Sequence, residues 1–243
     1  MKKTLTILLM TLATITASAQ RKTDTFTTPS GKQVTFTCIK HASFEINYNG
    51  TEIQVDPVSD AVKPATNYYD FAKANIILVT HQHQDHFDRE AIAALRTPAT
   101  VIYEPLSVFN MWFNGLPINN GDSVQIADDI LLKAVPAYNT TEGREQFHPK
   151  GRDNGYILTL DGLRIYIAGD TEDIPEMAEL GPIDIAFLPC NQPYTMTMDQ
   201  LVKAAKVIRP KVLFPYHYSN TVITQVSMQL AGSGIDVRIR DYK

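Results

Sequence analysis

Residues 75–90 read NIILVTHQHQDHFDRE, an apolar run followed at once by three histidines and two aspartates. The run NIILVT (75–80) is too short for a helix and is bounded by polar residues, so it predicts a strand buried on both faces. The histidine cluster then falls at the C-terminal end of that strand. Positions two apart on an extended chain project to one side, whereas on a helix His81 and His83 diverge by about 200°. The spacing His81, His83, Asp85, His86 therefore describes a loop that turns two imidazoles inward and folds a carboxylate and a third imidazole toward the same point. Imidazole and carboxylate ligands suit zinc, and also manganese or iron. A solvated histidine-rich turn is the competing reading. It is disfavoured because the whole chain has six histidines, and three of them lie within six positions.

Outward from this stretch the pattern is consistent. Upstream, after a polar lead-in to Ser30, QVTFTCIK, SFEINYN and TEIQVDPV alternate polar and apolar residues around the turns HA and NG, which predicts an antiparallel meander. Downstream, Asp88 caps a short helix over REAIAALR, ATVIYE returns as a strand, and PLSVFNMWF forms a helix with Pro105 near its first turn. The second half repeats the plan. SVQIAD, ILLKAVPAY, GYILTL and LRIYIAGD are strands, IPEMAEL is a short helix with Asp173 placed as its cap, and IDIAFLPC is another buried strand. Thr197 and Gln200 form a capping box for MDQLVKAAKVI. KVLFPYHY is then a strand, ITQVSMQLAG a helix ended by glycine, and IDVRIR a final strand. Many strands with intervening helices and no low-complexity linker predict one α/β domain over residues 20–243, a four-layer α/β/β/α sandwich.

The first nineteen residues stand apart from that core. Lys2 and Lys3 precede an apolar stretch shorter than the roughly 20 residues a membrane span requires, followed by Ala17-Ser18-Ala19, which reads as a cleaved secretory signal. The expectation is an exported protein, periplasmic or secreted, with no stable membrane anchor. The net charge is −4, and −6 without these residues, which carry two lysines and no acid. An acidic chain argues against nucleic acid as a partner and leaves a small-molecule substrate. Cys38 and Cys190 are the only two cysteines. Export would permit their pairing without requiring it, and two separate buried thiols are an equal alternative. Cys190 is also a candidate wall residue of the site. The oligomeric state leaves no readable mark, although PLSVFNMWFNGLP offers aromatics to a partner.

The HxHxDH pattern after a buried strand resembles the signature of the metallo-β-lactamase superfamily of metal-dependent hydrolases. YIAGDT (166–171) and FPYHY (214–218) resemble its later motifs. The opening HASFEINYNGTEIQVDPV is similar to the branch holding ascorbate-phosphate lactonases and phospholipase-D-like phosphodiesterases. The resemblance implies two divalent cations, zinc foremost. One is held by His81, His83 and a third histidine, the other by Asp85, His86 and His217, with Asp170 bridging. It also implies a water nucleophile made acidic by the metals, with Asp85 and Asp170 as catalytic groups. The third histidine is where the chain departs from the pattern. Asn139 stands where it is expected, and His148, nine residues on and before Gly155-Tyr156, takes the role unless Asn139 coordinates weakly or the site holds one metal.

His41 lies at a strand turn and reads either as a substrate or ligand-supporting contact or as a histidine satisfied by backbone. Asp56 reads either as orienting His81 or His83 or as a turn residue. Asn191 and Tyr194, in PCNQPYTMTM, are candidate donors to an oxyanion or phosphate. Arg144, Lys150 and Arg152 around His148 hint at an anionic substrate. The reading is a hydrolase of phosphodiesters or sugar-phosphate lactones. The alternative is a noncatalytic metal- or ligand-binding protein on the same fold.

Overall fold

The computed structural model describes residues 21–242, so the leader expected over residues 1–19 lies outside the described residues. The first sheet contains β1 (Thr23–Thr27), β2 (Gln33–Lys40), β3 (Ser43–Tyr48), β4 (Thr51–Val55), β5 (Ile76–Leu78), β6 (Val101–Glu104) and β7 (Leu116–Pro117), ordered as in the chain. Strands β2 to β4 pair antiparallel as the predicted meander, β1 adds a further antiparallel strand, and β4 to β7 pair parallel. The second sheet contains β8 (Ser123–Ala127), β9 (Ile130–Ala137), β10 (Asp153–Leu160), β11 (Leu163–Ile167), β12 (Ile185–Pro189), β13 (Val212–Tyr216) and β14 (Asp236–Val237), also in order. Its first four strands are antiparallel and its last four parallel.

The two-residue period of a strand explains how β5 serves two layers. Ile76 and Leu78 face the large core between the sheets, while Ile77 and Val79 face a smaller core under α1 (Arg89–Leu95) and α2 (Leu106–Trp112). The central core joins the sheets through stacked rings: Phe44 of β3 lies 4.1 Å from Phe187 of β12 at an interplanar angle of 9°. On the far side, α3 (Met198–Ile208) buries Leu201, Ala204, Ala205 and Ile208, and α4 (Gln225–Gln229) buries Val226. This is the expected sandwich of two mixed sheets with helices on their outer faces. Among the described residues no helix is long and apolar enough to cross a membrane.

The expected caps form at α1, where the Asp88 side chain accepts from the Glu90 and Ala91 amides, and at α3, where the Thr197–Gln200 box closes. Three expectations are corrected. The polar lead-in contains β1, because Phe26 packs edge-on to Phe36 at 5.5 Å and anchors an otherwise threonine-rich edge strand. IPEMAEL is a 3₁₀ turn over Pro175–Glu179 without a side-chain cap, and Asp173 instead accepts from Lys203 at 2.6 Å. The last helix and last strand are much shorter than their apolar patterns, five and two residues. Of the two alternatives for Cys38 and Cys190, the structure shows separate buried thiols.

Two buried charges fix loops near the strand ends. Lys40, at the end of β2, donates to the carbonyls of Ser59, Val62 and Pro64 and so clamps the loop that follows β4. Glu104, at the end of β6, accepts from Trp112 Nε1 at 2.9 and 2.8 Å and from the Gly115 amide at 3.1 Å. Burial raises the Glu104 carboxyl to about 7. An acid raised in the folded state binds more protons there than in the unfolded chain between about pH 4.5 and 7. Its contribution to stability therefore falls as pH rises through that window. Relative to Glu104→Gln, the wild type should lose about 1–3 kcal/mol between pH 5 and pH 8. Denaturant titrations of both proteins at the two pH values check this, and a constant difference between them would refute it.

Candidate metal centre

All six histidines of the chain converge at one end of the two sheets. The loop after β5 brings His81, His83, Asp85 and His86. The loop between β9 and β10 brings His148, the end of β11 brings Asp170, the end of β13 brings His217, and the tight turn between β2 and β3 brings His41. Gly169 makes this convergence possible. Its φ of +65° suits glycine, and a Cβ there would sit 2.7 Å from the Asn154 carbonyl and 3.2 Å from Thr80 Cβ. The ends of β5 and β10 are joined directly, the Asn154 amide donating to the Thr80 carbonyl at 3.0 Å.

Donor atoms of His81, His83 and His148 lie within 4.8 Å of one another, as do those of His41, Asp85, His86 and His217. Asp170 stands between the two groups. Its Oδ2 lies 3.4 Å from His148 Nε2 and 3.9 Å from His81 Nε2; its Oδ1 lies 3.4 Å from His86 Nε2 and 2.6 Å from His217 Nδ1. Every residue expected as a metal ligand is therefore brought to the cluster. His41, read only as a neighbour, lies within the second group, its Nε2 3.0 Å from Asp85 Oδ2 and its ring 3.8 Å from that of His217. The chain adopts φ of +52° at His41 to place it, a feature that alternating polarity does not signal.

A second layer fixes the rings. Asp56, fully buried, accepts from the Thr80 amide at 2.7 Å, from Thr80 Oγ1 at 2.6 Å and from His86 Nδ1 at 2.8 Å. With its proton given to Asp56, Thr80 Oγ1 is left to accept from His81 Nδ1 at 3.0 Å. Asp56 thus holds His86 directly and His81 through Thr80, and it does not touch His83. Asn139 Oδ1 accepts from His148 Nδ1 at 2.6 Å, while Asn139 Nδ2 donates to the Tyr194 carbonyl at 2.9 Å. Asn139 is behind His148 rather than a substitute for it. These contacts put the Nδ1 protons of His81, His86 and His148 on the outer side and turn each Nε2 toward the centre.

Burial, reinforced by neighbouring imidazoles, pushes His81 well below the usual histidine range, and burial takes His41 and His148 to about 4. Burial alone would lower His86 too, but Asp170 and Asp56 raise it to about 10. Burial would raise Asp170 and Asp85; the surrounding imidazoles overcome this and hold both below the carboxylate range. The fit to a cation is decided by three atoms. Nε2 of His81, His86 and His148 are buried without any hydrogen-bond partner, facing an ionised carboxylate. Buried polar atoms are normally satisfied, and a divalent ion would satisfy all three at once.

The remaining expectations fare differently. Asn191 and Tyr194 line the cavity over the cluster, and Asn191 Nδ2 lies 3.2 Å from His217 Nε2. Cys190 does not line it. The basic loop is neutralised. Arg144 donates to Gln192 beside Glu172, Lys150 to Glu176, and Arg152 to Asp153, so none of these residues lines the cavity. Phe147, which was not singled out from the sequence, does.

Fold and site together define a β-lactamase superfamily domain, and residues 35–217 match that domain. A UPF0173 metal-dependent hydrolase of Pyrococcus furiosus is 33% identical over 196 residues, 76% of this chain and 85% of that one. The chain belongs to the UPF0173 family of metal-dependent hydrolases. A crystal structure from Parabacteroides distasonis, provisionally assigned as a metal-dependent hydrolase, is 51% identical with a TM-score of 0.89, covering 92% of this chain and all of that one. Igni18, a metallo hydrolase from Ignicoccus hospitalis, is 26% identical with a TM-score of 0.71, covering 86% and 95%.

Proposed function

We propose that the chain is an exported hydrolase that cleaves a phosphodiester or a lactone of a small molecule. In this reading His81, His83 and His148 hold one divalent cation and Asp85, His86 and His217 a second. His41 lies beside the second cation and Asp170 between the two. Zinc suits this donor set best, with manganese or iron as alternatives. The observation that carries the reading is the trio of buried, partnerless Nε2 atoms around Asp170.

Divalent ions bound there would polarise the scissile group and make water acidic enough to attack at neutral pH. The chain's own residues do the rest. Asp85 is partly exposed to the cavity and bonded to His41, so it is placed to accept and pass on the proton of the attacking water. Asn191 Nδ2 and the Tyr194 hydroxyl are placed on the cavity wall to donate to the oxygen on which charge develops. The buried ring of supports, Asp56, Thr80 and Asn139, keeps the imidazoles from rotating away.

The experiment is metal analysis and turnover on one preparation. Mass spectrometry should give about two transition ions per chain, and a panel of chromogenic phosphodiesters and lactones should include a substrate whose cleavage a chelator abolishes and metal restores. A loaded protein that cleaves none of them, or one whose cleavage survives metal removal, contradicts the reading.

A further inference from the structure

Apart from histidines and aspartates, the cavity over the cluster, about 370 Å³, is lined by Phe147, Asn191 and Tyr194 among the described residues. Phe147 and Tyr194 meet edge to face, ring centroids 5.0 Å apart at 72°. They belong to different loops, and both loops are tied down. The Tyr194 carbonyl accepts from Asn139, the Tyr194 amide donates to the Asn191 carbonyl at 3.0 Å, and the Asn191 amide donates to Thr195 Oγ1 at 2.7 Å. On the other wall the Phe147 carbonyl accepts from Arg152 at 2.6 Å, and its amide donates to the Arg144 carbonyl at 3.0 Å. The Tyr194 side chain is nonetheless half open to solvent, at 45% exposure.

A rigid, partly exposed aromatic corner beside a polar cluster is an incomplete packing arrangement. An edge-to-face pair leaves a ring face free for a third flat group, and such contacts need little ordering when the rings are already held. The same cavity offers no lysine or arginine to a substrate, because the nearby bases are bonded elsewhere. A substituent reaching this corner gains from being flat and uncharged, since a charged one would find no lysine or arginine beside the rings.

We propose that Phe147 and Tyr194 form a ring subsite, so that the preferred substrate is an ester carrying an aromatic or similarly flat, uncharged substituent. This rests on the hydrolase reading above, since it places that substituent against the walls of the same metal pocket. Tyr194 then contributes its ring, in addition to any hydrogen bond from its hydroxyl.

The test uses the full-length, zinc-loaded protein and two singly charged probes without a cleavable P–O ester bond, methylphenylphosphinate and ethylmethylphosphinate, with affinity read by calorimetry. In the wild type the phenyl compound should bind about tenfold more tightly. Tyr194→Ala should remove that preference at unchanged metal content, and Tyr194→Phe should keep it. Equal binding of both probes to the wild type, or a preference that survives in Tyr194→Ala or is lost in Tyr194→Phe, overturns the ring subsite and leaves the hydrolase reading standing. Failure of both probes to bind the loaded wild type counts against the phosphoryl reading itself, and the subsite falls with it.

Discussion

Asp170→Asn should cost the protein its metal and its activity together, with kcat/KM lower by at least about a hundredfold. The substitution keeps the shape of the side chain and removes only its charge. That charge faces four imidazoles, those of His81, His86, His148 and His217, at 2.6 to 3.9 Å. The burial that drives His81 and His148 toward the neutral form also leaves their inward nitrogens without partners. A buried carboxylate in that position contributes most when cations lie on both sides of it. Metal content and turnover measured on one sample decide the matter. A variant that binds a full complement of metal and turns over at the wild-type rate would show that Asp170 is only a structural acceptor for His217.

Asn139→Leu should weaken binding at the His81–His83–His148 group by about 10- to 100-fold, although Asn139 reaches none of the central atoms itself. Its Oδ1 is the acceptor that fixes the His148 tautomer, and it is buried, so no water replaces it. Asn139→Asp retains an acceptor for His148 while giving up the bond to the Tyr194 carbonyl, and should retain most of the affinity. Competition with a chromogenic chelator measures both. Equal affinities for wild type and the leucine variant would mean that packing alone orients His148.

Where the signal was local, the sequence was legible. The short apolar run NIILVT, the HxHxDH spacing, the Asp88 cap and the Thr197–Gln200 box are each set by neighbours a few positions apart, and each is found as expected. What was not legible depends on contacts distant in the chain. β1 exists because Phe26 meets Phe36 and Phe214, the two-residue strand β7 is defined by its partner rather than by any pattern of its own, and β14 keeps only the two residues of IDVRIR that pair with β13. The position of His41 depends on a left-handed turn, and its carbonyl accepts from the His217 amide, 176 residues away in the sequence. The basic loop looked like a substrate contact because its acidic partners Glu172 and Glu176 come from a different segment. Asn139 reads as a lost ligand because nothing local shows that its amide stands behind His148.

The central claim is that these side chains surround divalent ions, and anomalous-difference maps from crystals of the metal-replete protein, collected on either side of the metal's absorption edge, test it most directly. The account predicts two peaks flanking Asp170, one among His81, His83 and His148 and one among His41, Asp85, His86 and His217. Maps from a folded, metal-replete sample with those side chains in place and no anomalous density between them would contradict it.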